Sequence, residues 1–259
     1  MTLRTVAIAL TGAALLLAGD ASGAPSGAPG TPAGMVTFLA GEATRAAGGK
    51  AEALAVGKPV YQGDVLETQK RTRLEVKLAD QSVIRLGPSS RAEVAAAAFG
   101  KSVEERNVSA KLVVGKVWAN VAKAVGGGQK FEVKTENAVA GVRGTTFRVD
   151  AATDRSVVVK VYSGTVAVAS GAIPRPEHQG PGGEVEKAKA PEGGGGKPKR
   201  QQIAGPQQVT REQWEKIVTN MMEVRVSSDG VPTEPAKFAL ADPGQDEWEA
   251  WNRSRDEAR

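Results

Sequence analysis

The chain has 259 residues, a net charge of +5 at pH 7, and 41% hydrophobic but only 4% aromatic residues. It lacks cysteine, which excludes disulfides, thiolate nucleophiles and cysteine metal sites. Its one histidine, His178, stands in a Gly- and Pro-rich stretch, which excludes Ser-His-Asp and Cys-His hydrolysis and His-rich zinc sites in a folded domain.

Residues 1–23 read as an export signal. Arg4 supplies a basic start, Val6 to Ala18 is apolar apart from Thr11 and Gly12, and Ala21-Ser22-Gly23 fits a small-residue cleavage site. The apolar stretch is shorter than the roughly 20 residues that a spanning helix needs. No cysteine follows it for a lipid anchor, and no later segment reads as a membrane span. A periplasmic or secreted location is expected. Residues 24–34, "APSGAPGTPAG", are small and Pro/Gly-rich, and are expected to form a tether.

Residues 35–170 read as strands. "RLEVKLAD" sets Leu74, Val76 and Leu78 against Arg73, Glu75 and Lys77, the period of a half-buried strand. "SVIRLGP", "KLVVGKVWANV", "KFEVKT", "TTFRVD", "SVVVKVYSG" and "TVAVAS" continue it, with Gly, Asp or Asn at the breaks. Many short, evenly spaced strands predict an all-β domain, solenoid-like or sandwich-like. Gly34, Gly63, Gly115 and Gly164 each stand two residues before a valine, a weak repeat suggesting stacked corners.

Within this region "NAVAGVRGTTFRVD", residues 137–150, has two glycines three apart. A phosphate loop would need a lysine after the second glycine and a helix beyond it; here Thr145 and a strand follow. Gly141 and Gly144 are therefore expected to bend the backbone between two strands. Arg143 would be held at the corner by backbone carbonyls or by a carboxylate, with Asp80, Asp64 and Glu67 as candidates.

The stretch 35–170 resembles the FecR domain. "VAGVRGTTFRV" (139–149) carries the resemblance, supported in order by "GDVLET", "TRLEVKLADQSVIRLGPSS", "LVVGKVWANV" and "YSGTVAV". The resemblance implies an all-β domain on the outer side of the inner membrane. It also implies that Gly141, Val142, Arg143, Gly144, Thr145 and Phe147 define the fold rather than carry chemistry. Regulators of that family carry a cytoplasmic helical segment and a membrane span ahead of the domain and relay signals to a sigma factor. Neither feature reads in this sequence, so signalling would require a separate membrane protein.

Residues 171–208, with "GPGGEVEKAKAPEGGGGKPKRQQ", read as a flexible or disordered linker. Residues 209–259 are expected to form a helical extension. In "VTREQWEKIVTNMMEV", Thr210 and Gln213 suit a capping box, Val209 can staple against Trp214, and Trp214, Ile217, Val218, Met221 and Met222 fall on one helical face. A second helix is expected with Asp242 as cap and Pro243 at its first position, and Glu249 and Arg253 as an i,i+4 pair. Trp248 and Trp251 share a face that must dock on the β-domain or meet a partner, and Trp214 is a further partner-binding candidate. Charge favours docking, since residues 35–170 carry a net +7 and residues 210–259 a net −4.

The composition points to a non-enzymatic protein without cofactor or metal. Its partner would be another envelope protein or a cell-wall polymer. Nucleic acid is not expected despite the basic balance, because export removes it and few aromatics interleave the cations. A carboxylate-based glycan hydrolase is the remaining enzymatic class, and no spacing singles out a carboxylate pair.

Overall fold

Alternation of apolar and polar side chains becomes strand after strand. The computed structural model describes residues 31–99, 106–123, 130–171 and 214–259. Its first strands are β1 (Gly34–Ala40), β2 (Ala43–Ala47), β3 (Lys50–Ala53), β4 (Pro59–Val60), β5 (Val65–Thr68), β6 (Arg73–Leu78) and β7 (Val83–Leu86). There follow β8 (Arg91–Phe99), the long β9 (Arg106–Asn120), β10 (Lys130–Lys134), β11 (Ala138–Val142), β12 (Thr146–Ala151), β13 (Val157–Ser163) and β14 (Thr165–Ser170). The C-terminal part adds β15 (Glu215–Thr219), β16 (Met222–Val226), β17 (Ala236–Lys237) and one helix, α1 (Glu247–Glu257). All of these lie in one compact unit, Thr31–Arg259.

Pairing sorts the strands into two sheets. Sheet A runs β4-β1-β6-β7-β9-β12-β13-β16-β17, antiparallel throughout. Sheet B runs β3-β2-β5-β8-β9-β10-β11-β14-β15, antiparallel except where β10 lies parallel to β9. The inward residues of both sheets meet in a single core that includes Leu74, Val76, Leu86, Leu112, Val117, Phe131, Phe147, Val159 and Val168. Phe131 of sheet B and Phe147 of sheet A meet edge to face, centroids 6.4 Å apart. The all-β reading holds, in its sandwich form.

The chain crosses repeatedly from one sheet to the other. Each described crossing contains a residue at positive φ: Gly41, Gly57, Gly63, Arg71, Ser89, Gly115, Gly144, Gly164 and Met221. Gly115 is the sharpest case, because it turns the corner inside β9. Residues before it pair with β8 and β10 in sheet B, and residues from it onward pair with β12 in sheet A. Its φ is +101°, and an added Cβ would lie 2.5 Å from the Ser90 Cα. Neither a left-handed backbone nor that contact admits another residue without strain. Of the glycines in the repeat, Gly63, Gly115 and Gly164 mark such corners; Gly34 does not.

Two expectations about the C-terminal region are corrected. Residues 215–219 and 222–226 form β15 and β16 instead of a helix, and each extends a sheet, β15 beside β14 and β16 beside β13. The edges of β13 and β14 would otherwise leave buried Val159, Val161, Val166 and Val168 uncovered; Val218, Val224 and Val226 complete that layer at 0–1% exposure. Burial in the core outweighs helix propensity here. The later helix does form, but its N-cap is Asp246, whose side chain accepts from the Glu249 N–H at 3.0 Å. Asp242 instead closes the preceding turn by accepting from the Gln245 and Asp246 N–H groups. The expected tether also ends earlier: Ala33 is buried and hydrogen-bonded to Val60, and Gly34 opens β1. The signal segment, most of the linker with His178, and Val209, Thr210 and Gln213 lie outside the described residues.

Candidate functional site

The glycine-arginine stretch forms the corner between β11 in sheet B and β12 in sheet A. Gly144 sits at φ +61°, where an added Cβ would lie 2.3 Å from the Lys123 Cγ and 3.3 Å from its Cβ. Thr145, 2% exposed, closes the corner by donating from Oγ1 to the Thr165 carbonyl at 3.0 Å. Val142 and Phe147 point into the core on either side. Gly141 departs from expectation: it lies within regular β11, facing Glu132 and Ala167 in the neighbouring strands, and bends nothing. Arg143 is exposed and forms no ion pair among the described residues. Asp64 contacts Arg45 at 3.4 Å, Glu67 pairs with Arg91 at 2.7 Å, and Asp80 accepts from the N–H and hydroxyl of Ser82.

Around this corner the outer face of sheet B forms an open trough of about 420 Å³. Lys130, Glu132 and Arg143 line one side, Thr165 and Ala167 the floor with Gly141, and Ile217 the far side.

The outer face of sheet A is closed by α1. Glu75, Arg85, Trp118 and Arg148 point outward from β6, β7, β9 and β12, yet all are 0–3% exposed because the helix covers them. Glu75 accepts from Arg85 Nε at 2.7 Å, from Arg255 Nε at 2.9 Å and from the Thr37 hydroxyl at 2.7 Å. Burial alone would raise the Glu75 carboxyl, but the bonds from Arg255, Arg85 and Thr37 outweigh it and hold it down at about 2. The Arg85 guanidinium also approaches Asp256 at 2.7 Å, a charge contact lacking hydrogen-bond alignment, and donates to the Asn252 carbonyl at 3.3 Å.

A second ion cluster holds the start of the helix. Arg148 makes a two-pronged bond to Asp150, 2.7 Å on each arm, and reaches Asp246 at 2.6 Å. Burial would ease the proton off Arg148, but Asp150 and Asp246 push its pKa up further than burial lowers it. The Tyr162 hydroxyl donates to Glu249 at 2.9 Å; burial first, then the Glu249 charge, raises its pKa. The other Glu249 oxygen accepts from the Ala241 N–H at 3.0 Å, so this buried carboxylate serves the domain and not an i,i+4 pair with Arg253.

The tryptophans divide by position. Trp248 is buried, 5% exposed, and stacks on Trp251 with centroids 5.3 Å apart. Trp251 lies against Phe38 at 5.3 Å and within 5.5–5.7 Å of the Arg73, Arg85 and Arg255 guanidiniums. Trp214 packs at the edge of the core and donates to the Gly230 carbonyl at 2.9 Å. All three are therefore engaged within the fold. The opposite charges of the two regions meet as Arg148–Asp246, Arg85–Asp256 and Arg255–Glu75, the last with its cation on the helix. The docking of Trp248 and Trp251 agrees with the sequence, but the buried ion pairs beneath them do not read from it, because Glu75, Arg85 and Arg148 occupy the polar positions of alternating strands and look solvent-facing. Among the described residues no group of three or more His, Asp and Glu side chains is placed to hold a metal ion, and no helix is long and apolar enough to cross a membrane.

Residues 64–167 match the family model of the FecR protein. The chain carries a FecR domain. A crystal structure of a protein assigned as an anti-sigma factor from Parabacteroides distasonis ATCC 8503 aligns at 16% identity with a TM-score of 0.42, over 67% of this chain. The alignment spans 59% of that chain. A second crystal structure under the same description aligns at 15% identity and a TM-score of 0.41. A "cell surface anchoring domain" aligns at 25% identity with a TM-score of 0.24, over 25% of this chain and 86% of that one. No curated protein matches the chain.

Proposed function

We propose that this chain is an exported, non-enzymatic FecR-domain protein that acts as a binding or scaffold module in the cell envelope. The observation that carries this reading is the asymmetry of the two outer faces. On sheet A the buried charges are spent on the domain's own helix. On sheet B, Arg143 and Ile217 face solvent beside an open trough, a shape suited to lying against a surface. The export leg rests on Arg4, the apolar run Val6–Ala18 and the small residues Ala21-Ser22-Gly23. Its partner would be another envelope protein or cell-wall polymer.

The test has two parts. N-terminal sequencing of protein recovered from the envelope fraction should begin near residue 22 to 25, and an intact Met1 would overturn the export leg. Co-sedimentation with purified cell-wall sacculi, beside affinity capture from solubilised envelope, should retain the protein in one of the two; retention in neither removes the module reading.

A second reading is favoured by the family match over residues 64–167. On it, the protein is a periplasmic partner in transmembrane signalling and works through a separate membrane protein. Specific capture of an anti-sigma regulator or a transport receptor supports this version, and capture of wall polymer alone supports scaffolding.

A further inference from the structure

The trough on sheet B holds residues for which the fold has no use. Register sets Glu132, Gly141, Ala167 and Ile217 in one row across β10, β11, β14 and β15. Gly141 does not have the left-handed backbone that would require glycine. An added Cβ there would meet only the Ala167 carbonyl oxygen, at an ordinary 3.8 Å. What a side chain at Gly141 would do is fill the trough. At one end Lys134 lies 3.1 Å from Glu132 and compensates its charge. Lys130 and Arg143 have no ion pair among the described residues, so that end carries uncompensated positive charge. At the other end stands Ile217, 55% exposed.

We propose that this trough binds an extended acidic peptide segment of a partner protein, with a carboxylate on Lys130 and Arg143 and an apolar side chain against Ile217. The proposal deepens the binding-module reading above and rests on it. An arginine fork suits a carboxylate, which it can hold with two parallel bonds. Strands lie about 4.8 Å apart, so the cationic end and β15 are separated by two to three spacings, roughly 10–14 Å. An extended chain rises about 3.3 Å per residue, and residues an even number apart share a face. A separation of four residues therefore covers roughly 13 Å and turns both side chains toward the sheet. That fixed reach between charge and apolar contact selects a peptide over a uniformly charged polymer.

The experiment is an amide chemical-shift titration of the full chain with a capped hexapeptide: two aspartates, three glycines, then leucine. Perturbations should centre on Gly141, Arg143, Ala167 and Ile217. Arg143→Glu, Gly141→Val, and replacement of the peptide leucine by glycine should each weaken the response at least tenfold. Arg143 is exposed, so Arg143→Glu should keep the native Tm and remains informative if Gly141→Val does not fold. An undiminished response to the leucine-free peptide would reduce the effect to plain ion pairing and overturn the assignment. A wild-type chain that ignores the hexapeptide yet is still retained by sacculi or envelope partners would also overturn it, while leaving the module reading intact.

Discussion

The outer faces of the two sheets use the same residue types for opposite ends. On sheet A, Arg85 and Arg148 are buried to 0% and 3% exposure, and each is met by carboxylates from its own sheet and from α1 or its N-cap. On sheet B, Arg143 is exposed beside a glycine floor. An arginine taken out of water needs partners on several sides, because desolvation costs several kcal/mol per ion unless excellent geometry offsets it. The helix supplies those partners, which makes sheet A a closed interface. Sheet B has no such cover among the described residues, and its charges remain available.

The largest test of this contrast is Glu75→Ala. It removes one of the two carboxylates that meet fully buried Arg85 at 2.7 Å, the one aligned with its Nε, and strands Arg255 as well. Removing one member of a buried pair costs about 3–5 kcal/mol, so urea unfolding should show a loss of that size. A loss below about 1 kcal/mol, the range of exposed pairs, would place Glu75 in the same class as Arg143 and erase the distinction.

Acid probes the same carboxylate without a mutation. Its folded pKa lies at about 2 against an ordinary 4.5, so the stabilisation is fully present above 4.5 and drains away as pH falls through about 2. At about 1.4 kcal/mol per pH unit the contribution is about 3 kcal/mol. Stability measured from pH 6 to pH 2 should fall by that much more in the wild type than in Glu75→Gln. Identical pH profiles would contradict the depressed pKa.

Next in size is Gly144→Val, with an expected loss of about 2 kcal/mol or more from a β-branched residue at positive φ. The contact with Lys123 adds to it. An unchanged melting temperature would show that the corner tolerates other backbones.

How much of this could be read beforehand depends on the range of the signal. The strands of 35–170 were legible because alternation is local: Leu74, Val76 and Leu78 are buried as their spacing implies. The corner at Gly144 was legible from a glycine between strand formers. β15 and β16 were not, since Trp214, Ile217, Val218, Met221 and Met222 also fit a helical face. Ile217 is 55% exposed while Val218 is buried, so the helical stripe was accidental. The β-branched run Ile217-Val218-Thr219 and the alternation Met222, Val224, Val226 were the available signals for strands. The ion clusters were illegible for a different reason. Glu75 and Arg255 are 180 positions apart, and only the docked helix makes their pairing visible.

The smallest expected effect separates the two glycines of the signature and with them the two kinds of surface. Gly141→Ala meets ordinary φ and open space, with the nearest atom 3.8 Å from the new methyl. Replacing glycine in a strand without strain reduces the freedom of the unfolded chain and stabilises by about 0.4–1 kcal/mol. Thermal unfolding should therefore show Gly141→Ala slightly more stable than wild type, in contrast to the loss at Gly144. The methyl also raises the trough floor, so the same variant should bind the acidic hexapeptide more weakly. A variant that gains stability and loses binding identifies a glycine kept for the surface it leaves open. If Gly141→Ala is destabilised as Gly144→Val is, the two glycines share a backbone role, and the argument that the trough is built for a ligand loses its floor.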